Sequence, residues 1–206
     1  MKEKFFFGRI KSRKISKLKE NSFRQFIKLN SIKKFNFKKK LILEVGIGMG
    51  ENLIFLTKKY KKNIIIGVDP FKNGMVNVSD YCIKNKILNV FLYPYVIEKF
   101  LDKFKNLRFK TIYILFPDPW PKKKHNKRRL INEQFLKRII LVLEKRGKVF
   151  LSTDNLSYFD EVKSILKKIK IIKFKKIKKV INLKTKYYLK AEKKGSKISS
   201  LVFSKI

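Results

Sequence analysis

The sequence predicts an α/β protein: a mostly parallel central sheet with helices on both faces and an antiparallel strand at the carboxyl end. Three observations carry that expectation. From Lys40 onward, short runs rich in Ile, Leu and Val alternate with stretches of helical periodicity, the pattern of strands buried on both faces and joined by helical crossovers. A glycine-rich turn separates the first such strand from the first such helix. The last apolar run follows its predecessor too closely for a full helical crossover, so an antiparallel return is expected there.

Taken in order, the strands are expected at Leu41–Val45, Asn63–Val68, Val90–Tyr93, Thr111–Phe116 and Lys148–Ser152. Helices are expected between and after them near Glu51–Lys59, Gly74–Lys86, Ile97–Lys105, Ile131–Glu144 and Tyr158–Lys168. Further β-rich pieces follow at Ile171–Phe174, Val180–Leu183 and Ile198–Phe203. Residues 1–37 are basic and amphipathic and read as an N-terminal extension with a helix over part of Ser16–Leu29. Residues 38–206 then form the main domain.

The first strand and its turn read "LILEVGIGMGEN". Gly46, Gly48 and Gly50 allow a tight turn and a close backbone approach to a ligand beneath a helix N-terminus. No Lys-Ser/Thr follows, which argues against a phosphate loop of the Walker A kind, and a dinucleotide fingerprint would want glycine where the chain has Glu51. Glu44, two residues before the first glycine, would repel a pyrophosphate. It would attract the cationic amino-acid end of S-adenosylmethionine. Asp69 ends the second strand in "IIIGVDP", about 20 residues past the glycines, where an acid accepts hydrogen bonds from ribose hydroxyls. A glycine-rich turn alone is often structural; with Asp69 in the right strand order, a nucleoside cofactor is expected.

The fourth strand exits through "FPDPWP". In an open α/β sheet this strand neighbours the first across the point where ligands bind, so Asp118 is expected in the same crevice as Glu44 and Asp69. Pro117, Pro119 and Pro121 stiffen the loop, and Trp120 either packs beneath it or stacks on a base. The run Lys122, Lys123, Lys124, His125, Asn126, Lys127, Arg128, Arg129 follows at once. Its placement at the mouth of the crevice favours phosphate contacts over a merely solvated face.

Composition sets the outer bounds. The 206 residues suffice for one domain with a real core, and 44% hydrophobic with 14% aromatic content excludes a disordered polyelectrolyte. A formal net charge of +39 points to polyanionic partners, although only eight of the 54 basic residues are arginine, which fits a lysine-rich compositional bias as well. One cysteine and one histidine argue against a disulfide or a zinc site. The apolar runs are too short to span a membrane or act as a secretory signal. A soluble cytoplasmic monomer or homodimer without metal is expected.

"LEVGIGMGEN", "GVD", "FPDPWPKKKHNKRRL", "STD" and "TKYYLKAEKKGSKI" together resemble the bacterial tRNA (guanine-N7-)-methyltransferase family, over nearly the whole chain and including "FGRIKSRK" near its start. The resemblance implies a Rossmann-like class I methyltransferase fold, S-adenosylmethionine as donor, and as acceptor a guanine in the tRNA variable loop, the nucleotide conventionally numbered 46. By motif, Glu44, Gly46, Gly48, Asp69 and Asp118 fall on the cofactor side, with Asp118 also the catalytic residue. Lys122, Asp154 and Thr185, Lys186 and Tyr187 fall on the tRNA side. The run from Lys124 to Arg129 corresponds to the RNA-contacting segment. Two positions depart from the family pattern: Val96 stands where an acid would hold the adenine amino group, and Tyr188 stands where a glutamate would end the T-x-Y-E motif. A class I methyltransferase acting on another RNA or a protein, or a noncatalytic basic RNA-binding protein with a decayed pocket, would share much of this pattern.

Overall fold

The computed structural model describes residues 8, 10, 14–30, 39–180 and 185–206. Strands β1 (Leu41–Val45), β2 (Ile64–Val68), β3 (Val90–Tyr93), β4 (Phe109–Leu115), β5 (Leu143–Thr153), β6 (Ile172–Ile177) and β7 (Ser199–Lys205) form one sheet in the order β3-β2-β1-β4-β5-β7-β6. The first five are parallel, and β7 runs antiparallel to both β5 and β6. The expected antiparallel return is therefore present. The expected strand Val180–Leu183 lies outside the described residues except for Val180, which is in no strand.

Helices α1 (Lys17–Leu29), α2 (Glu51–Lys59), α3 (Lys72–Lys84), α4 (Ile97–Lys103), α5 (Glu133–Leu141), α6 (Leu156–Lys167) and α7 (Lys186–Lys193) complete the layers. Every residue of β1 and β2 is buried, because helices cover both faces. Leu43, Val45, Ile66, Ile112 and Ile114 face a core with Phe100, Phe135 and Ile139 of α4 and α5. Ile42 and Ile65 face the other core with Leu53, Leu56, Met75 and Val78 of α2 and α3. Helix α1 joins this second layer through Phe23 and Phe26 and through the Glu20–Lys72 ion pair. Burying side chains of this size contributes about 1.5–3 kcal/mol each.

Side-chain caps fix several helix starts: Asn132 accepts from Phe135 N at 3.0 Å, Asn155 from Tyr158 N at 2.8 Å, and Thr185 from Tyr188 N at 3.2 Å. The helix expected over Ile131–Glu144 is shorter than its periodicity suggested. Phe109 N donates to Val142 O at 2.8 Å, which ties the chain to β4, and Arg146 at φ +60 forbids helical continuation. Helix α7 was not anticipated at all.

Candidate functional site

The carboxyl ends of β1, β2 and β4 converge on one crevice. Between β1 and α2 the glycine turn has positive φ at Gly46, Gly48 and Gly50, a conformation that strains other residues. Its most demanding contact is with α3: a Cβ on Gly74 would stand 1.7 Å from Gly48 O. The two elements touch backbone to backbone, so Gly74 belongs to the site's framework although nothing in the glycine motif marks it. A Cβ on Gly46, in contrast, would meet nothing within 4 Å.

Asp69, buried at the end of β2, holds this turn directly. One carboxylate oxygen accepts from Gly48 N at 2.9 Å and the other from Phe71 N at 2.8 Å. Burial raises its pKa, the backbone donors pull it back, and the nearby charge of Asp118 raises it further. Glu44 lies paired in register between Gly67 and Tyr113 and is only 2% exposed. Burial holds its pKa well above the ordinary carboxylate value; the nearby Asn52 amide, too poorly aligned for a full hydrogen bond, offsets part of this, while Asp69 and Glu51 add repulsion. Glu44 Oε2 and both polar atoms of Asn52 lack a hydrogen-bond partner among the described residues. A buried acid with an orphaned oxygen, beside further acids and an open glycine turn, fits a cationic ligand that donates hydrogen bonds.

The β4 exit brings Asp118 to the rim of this crevice. The loop is bracketed by two aromatic residues in the left-handed region, Phe116 at φ +49 and Trp120 at φ +43. Such conformations cost about 1–3 kcal/mol each and persist only where surroundings enforce them. Asp118 is exposed, yet neighbouring protein removes enough water to raise its pKa.

What enforces the loop is Arg129, and here the structure corrects the sequence reading. Arg129, expected to contact RNA, is 3% exposed. Its Nε donates to Pro119 O at 2.8 Å, its guanidinium pairs with Glu161 of α6, and it lies 4.8 Å over the Tyr158 ring. Tyr158 Oη in turn accepts from Ile131 N at 2.8 Å. A fully buried, paired guanidinium is an anchor and has no face to offer a phosphate.

The rest of the basic run forms a 3-10 helix, Lys123–Arg128, folded against Trp120. Arg128 lies 5.0 Å over the indole, and His125 meets it edge-on with centroids 5.9 Å apart. Desolvation, then the charges of Arg128, Lys122 and Lys127, lower the His125 pKa. His125, Asn126 and Arg128 are half-buried, whereas Lys122, Lys123, Lys124 and Lys127 are exposed. Trp120 thus packs with the loop.

Of the remaining expected residues, Asp154 is half-buried just beyond β5, Thr185 is buried as the α7 cap, and Lys186 is exposed. Tyr187 reaches the glycine turn itself: its ring would lie 2.9 Å from a Cβ on Gly48. Val96 occupies the N-cap of α4 without a side-chain cap. Among the described residues no group of three or more His, Cys, Asp or Glu is placed to hold a metal ion, and no helix is long and apolar enough to cross a membrane.

The sheet order and the crevice define the class I methyltransferase fold. In overall fold the chain is similar to an rRNA methylase from Streptococcus thermophilus, with TM-score 0.56 and 11% identity over 94% of this chain and 99% of that one. It is similar also to the plantazolicin methyltransferase BpumL in complex with SAH, with TM-score 0.54 and 12% identity over 92% and 87%. Residues 38–201 match a family model described as "Putative methyltransferase". The tRNA (guanine-N(7)-)-methyltransferase of Wolbachia pipientis is 30% identical over 79% of this chain and 74% of its own length. The chain belongs to the tRNA (guanine-N7-)-methyltransferase family. A bifunctional methyltransferase of Rickettsia prowazekii is 35% identical over 78% of this chain, which spans only 31% of that relative's length.

Proposed function

We propose that this protein transfers the methyl group of S-adenosylmethionine to N7 of a guanine in the tRNA variable loop, the nucleotide conventionally numbered 46, in the cytoplasm. One observation carries the reading: Asp118 stands between the acid-lined glycine crevice and the exposed lysines of the 3-10 helix, on a loop strained at both ends and anchored by Arg129.

The crevice residues suit the donor. Glu44, with its orphaned oxygen, and Asn52 would receive the ammonium of the amino-acid end; Asp69, the ribose; and the open face at Gly46 leaves room for the backbone to lie against it. When bound, the donor supplies a methyl group already activated on a sulfonium. Guanine N7 carries a free lone pair and no proton, so none of this chain's residues has to remove one. Their task is alignment and electrostatics. The N7 lone pair forms the new bond while the carbon–sulfur pair returns to sulfur, and the purine ring gains positive charge. Asp118, anionic and partly desolvated, stabilises that charge. Lys122, Lys124 and Lys127 hold phosphates beside it, Lys186 extends the basic surface, and Asp154, Thr185 and Tyr187 stand on the substrate side.

Incubating the protein with unmodified tRNA and isotopically labelled donor, followed by nucleoside mass spectrometry, tests this reading. Labelled 7-methylguanosine is the expected product. Label in another nucleoside, or none, would overturn it.

A further inference from the structure

A cavity of about 250 Å³ lies at the carboxyl ends of β4 and β5, beside the crevice. It is smaller than the about 300–1,000 Å³ of sites that enclose a whole drug-sized ligand, and so suits a single base. Phe116 and Tyr188 form aromatic walls, their rings edge-to-face with centroids 6.4 Å apart at 89°. The buried hydroxyls of Ser152 and Ser200, 2.7 Å apart, lie at its base. The Lys179 ammonium sits 5.4 Å from the Tyr188 ring. Tyr187, next to Tyr188 on the same helix, packs on Gly48 of the glycine turn.

Glu192 is the one carboxylate among the described lining residues. It follows Tyr188 by four residues on α7, so both side chains project on one helix face. Glu192 therefore shares the cavity wall with Tyr188, one turn further along the helix. Asp154 does not line this cavity.

Resting on the methyl-transfer reading above, we propose that Glu192 selects the acceptor base by accepting hydrogen bonds from N1–H and N2–H of guanine held against Phe116 and Tyr188. The aromatic walls take the π-face of a splayed-out base. The carboxylate then reads its edge: guanine offers two donors there, whereas adenine places an acceptor, N1, against the anion. Lys179 stands where the nucleotide's phosphate would follow.

The test compares two tRNAs carrying guanosine or inosine at the methylated position. Inosine keeps N7 and N1–H but lacks the N2 amino group. Losing a hydrogen bond to a charged group lowers kcat/KM about 10-fold or more, so the wild type should prefer guanosine by that ratio. Glu192→Met, which removes the acceptor without shortening the side chain greatly, should bring the ratio within about 3-fold. A Glu192→Met enzyme that discriminates as the wild type does, or a wild type that ignores the substitution, overturns the role of Glu192 while 7-methylguanosine formation stands. A wild type that forms no 7-methylguanosine overturns both.

Discussion

At Glu44 the fold holds an acid where burial favours its protonated form. Because its folded pKa lies above the unfolded value of about 4.3, the contribution to stability is present at low pH and is lost as pH rises through that window and above it. Glu44→Gln should therefore stabilise the ligand-free protein at pH 8 relative to wild type, with the difference shrinking toward pH 4; thermal melts across that range would show it. Cofactor binding has the opposite sign. A cationic ligand needs the carboxylate, so wild-type affinity should tighten as pH rises, while Glu44→Gln should bind about 10-fold or more weakly and lose the pH dependence in calorimetric titrations. Asp118 has another role. Asp118→Asn keeps size and loop geometry but removes the anion, so the methyl-transfer step at saturating cofactor should slow at least about 100-fold, as single-turnover methylation would report. These acids were legible in the sequence because chain order alone puts β1, β2 and β4 side by side. The burial of Glu44 was not, since it depends on Tyr113, its register partner on β4, and on Asn52 of α2 beside it.

The exit loop of β4 and the start of α4 show what local pattern reveals and what it hides. Three prolines beside an acid announce a rigid loop. They do not say that the last arginine of a basic run turns inward, because Glu161 and Tyr158, which receive it, lie about 30 residues later on α6. Helix α7 was hidden for a related reason: eight residues rich in lysine have little intrinsic signal, and the Thr185 cap, the contacts of Tyr187 and Tyr188 and the buried Ala191 fix them. If Arg129 positions the loop, Arg129→Lys should lose the fork that joins Pro119 O to Glu161 while keeping the charge. Urea denaturation should show a loss of about 1–3 kcal/mol, and kcat should fall more than tRNA affinity. A change confined to tRNA affinity would return Arg129 to the RNA surface. At α4 the uncapped Val96 offers a separate test. Val96→Asp should stabilise the protein by about 1 kcal/mol through an N-cap bond, measurable without ligand. Any gain in cofactor affinity beyond that would report a direct adenine contact.

Across the whole molecule the question is how much of a +39 charge serves recognition. Composition cannot answer, because lysines lie on every surface. The fold can, because it separates the two ends of the sheet. Lys122, Lys123, Lys124 and Lys127 are exposed on the platform beside Asp118, at the carboxyl end. Lys39, Lys61, Lys62 and Lys105 are equally exposed but lie in segments leading into β1, β2 and β4, at the opposite end. Changing either set of four to serine removes the same charge, so any effect of net charge alone is shared. Each lost phosphate contact lowers the slope of log K against log salt by roughly 0.7–0.9. If the platform makes its contacts directly, the first variant should flatten that slope by about 3 and weaken binding steeply at low salt. The second should shift affinity modestly and leave the slope close to wild type. Filter-binding isotherms with one tRNA at several salt concentrations would separate these outcomes. Equal slopes for the two variants would mean that the positive charge acts as a diffuse field, and that the lysines beside Asp118 have no local task.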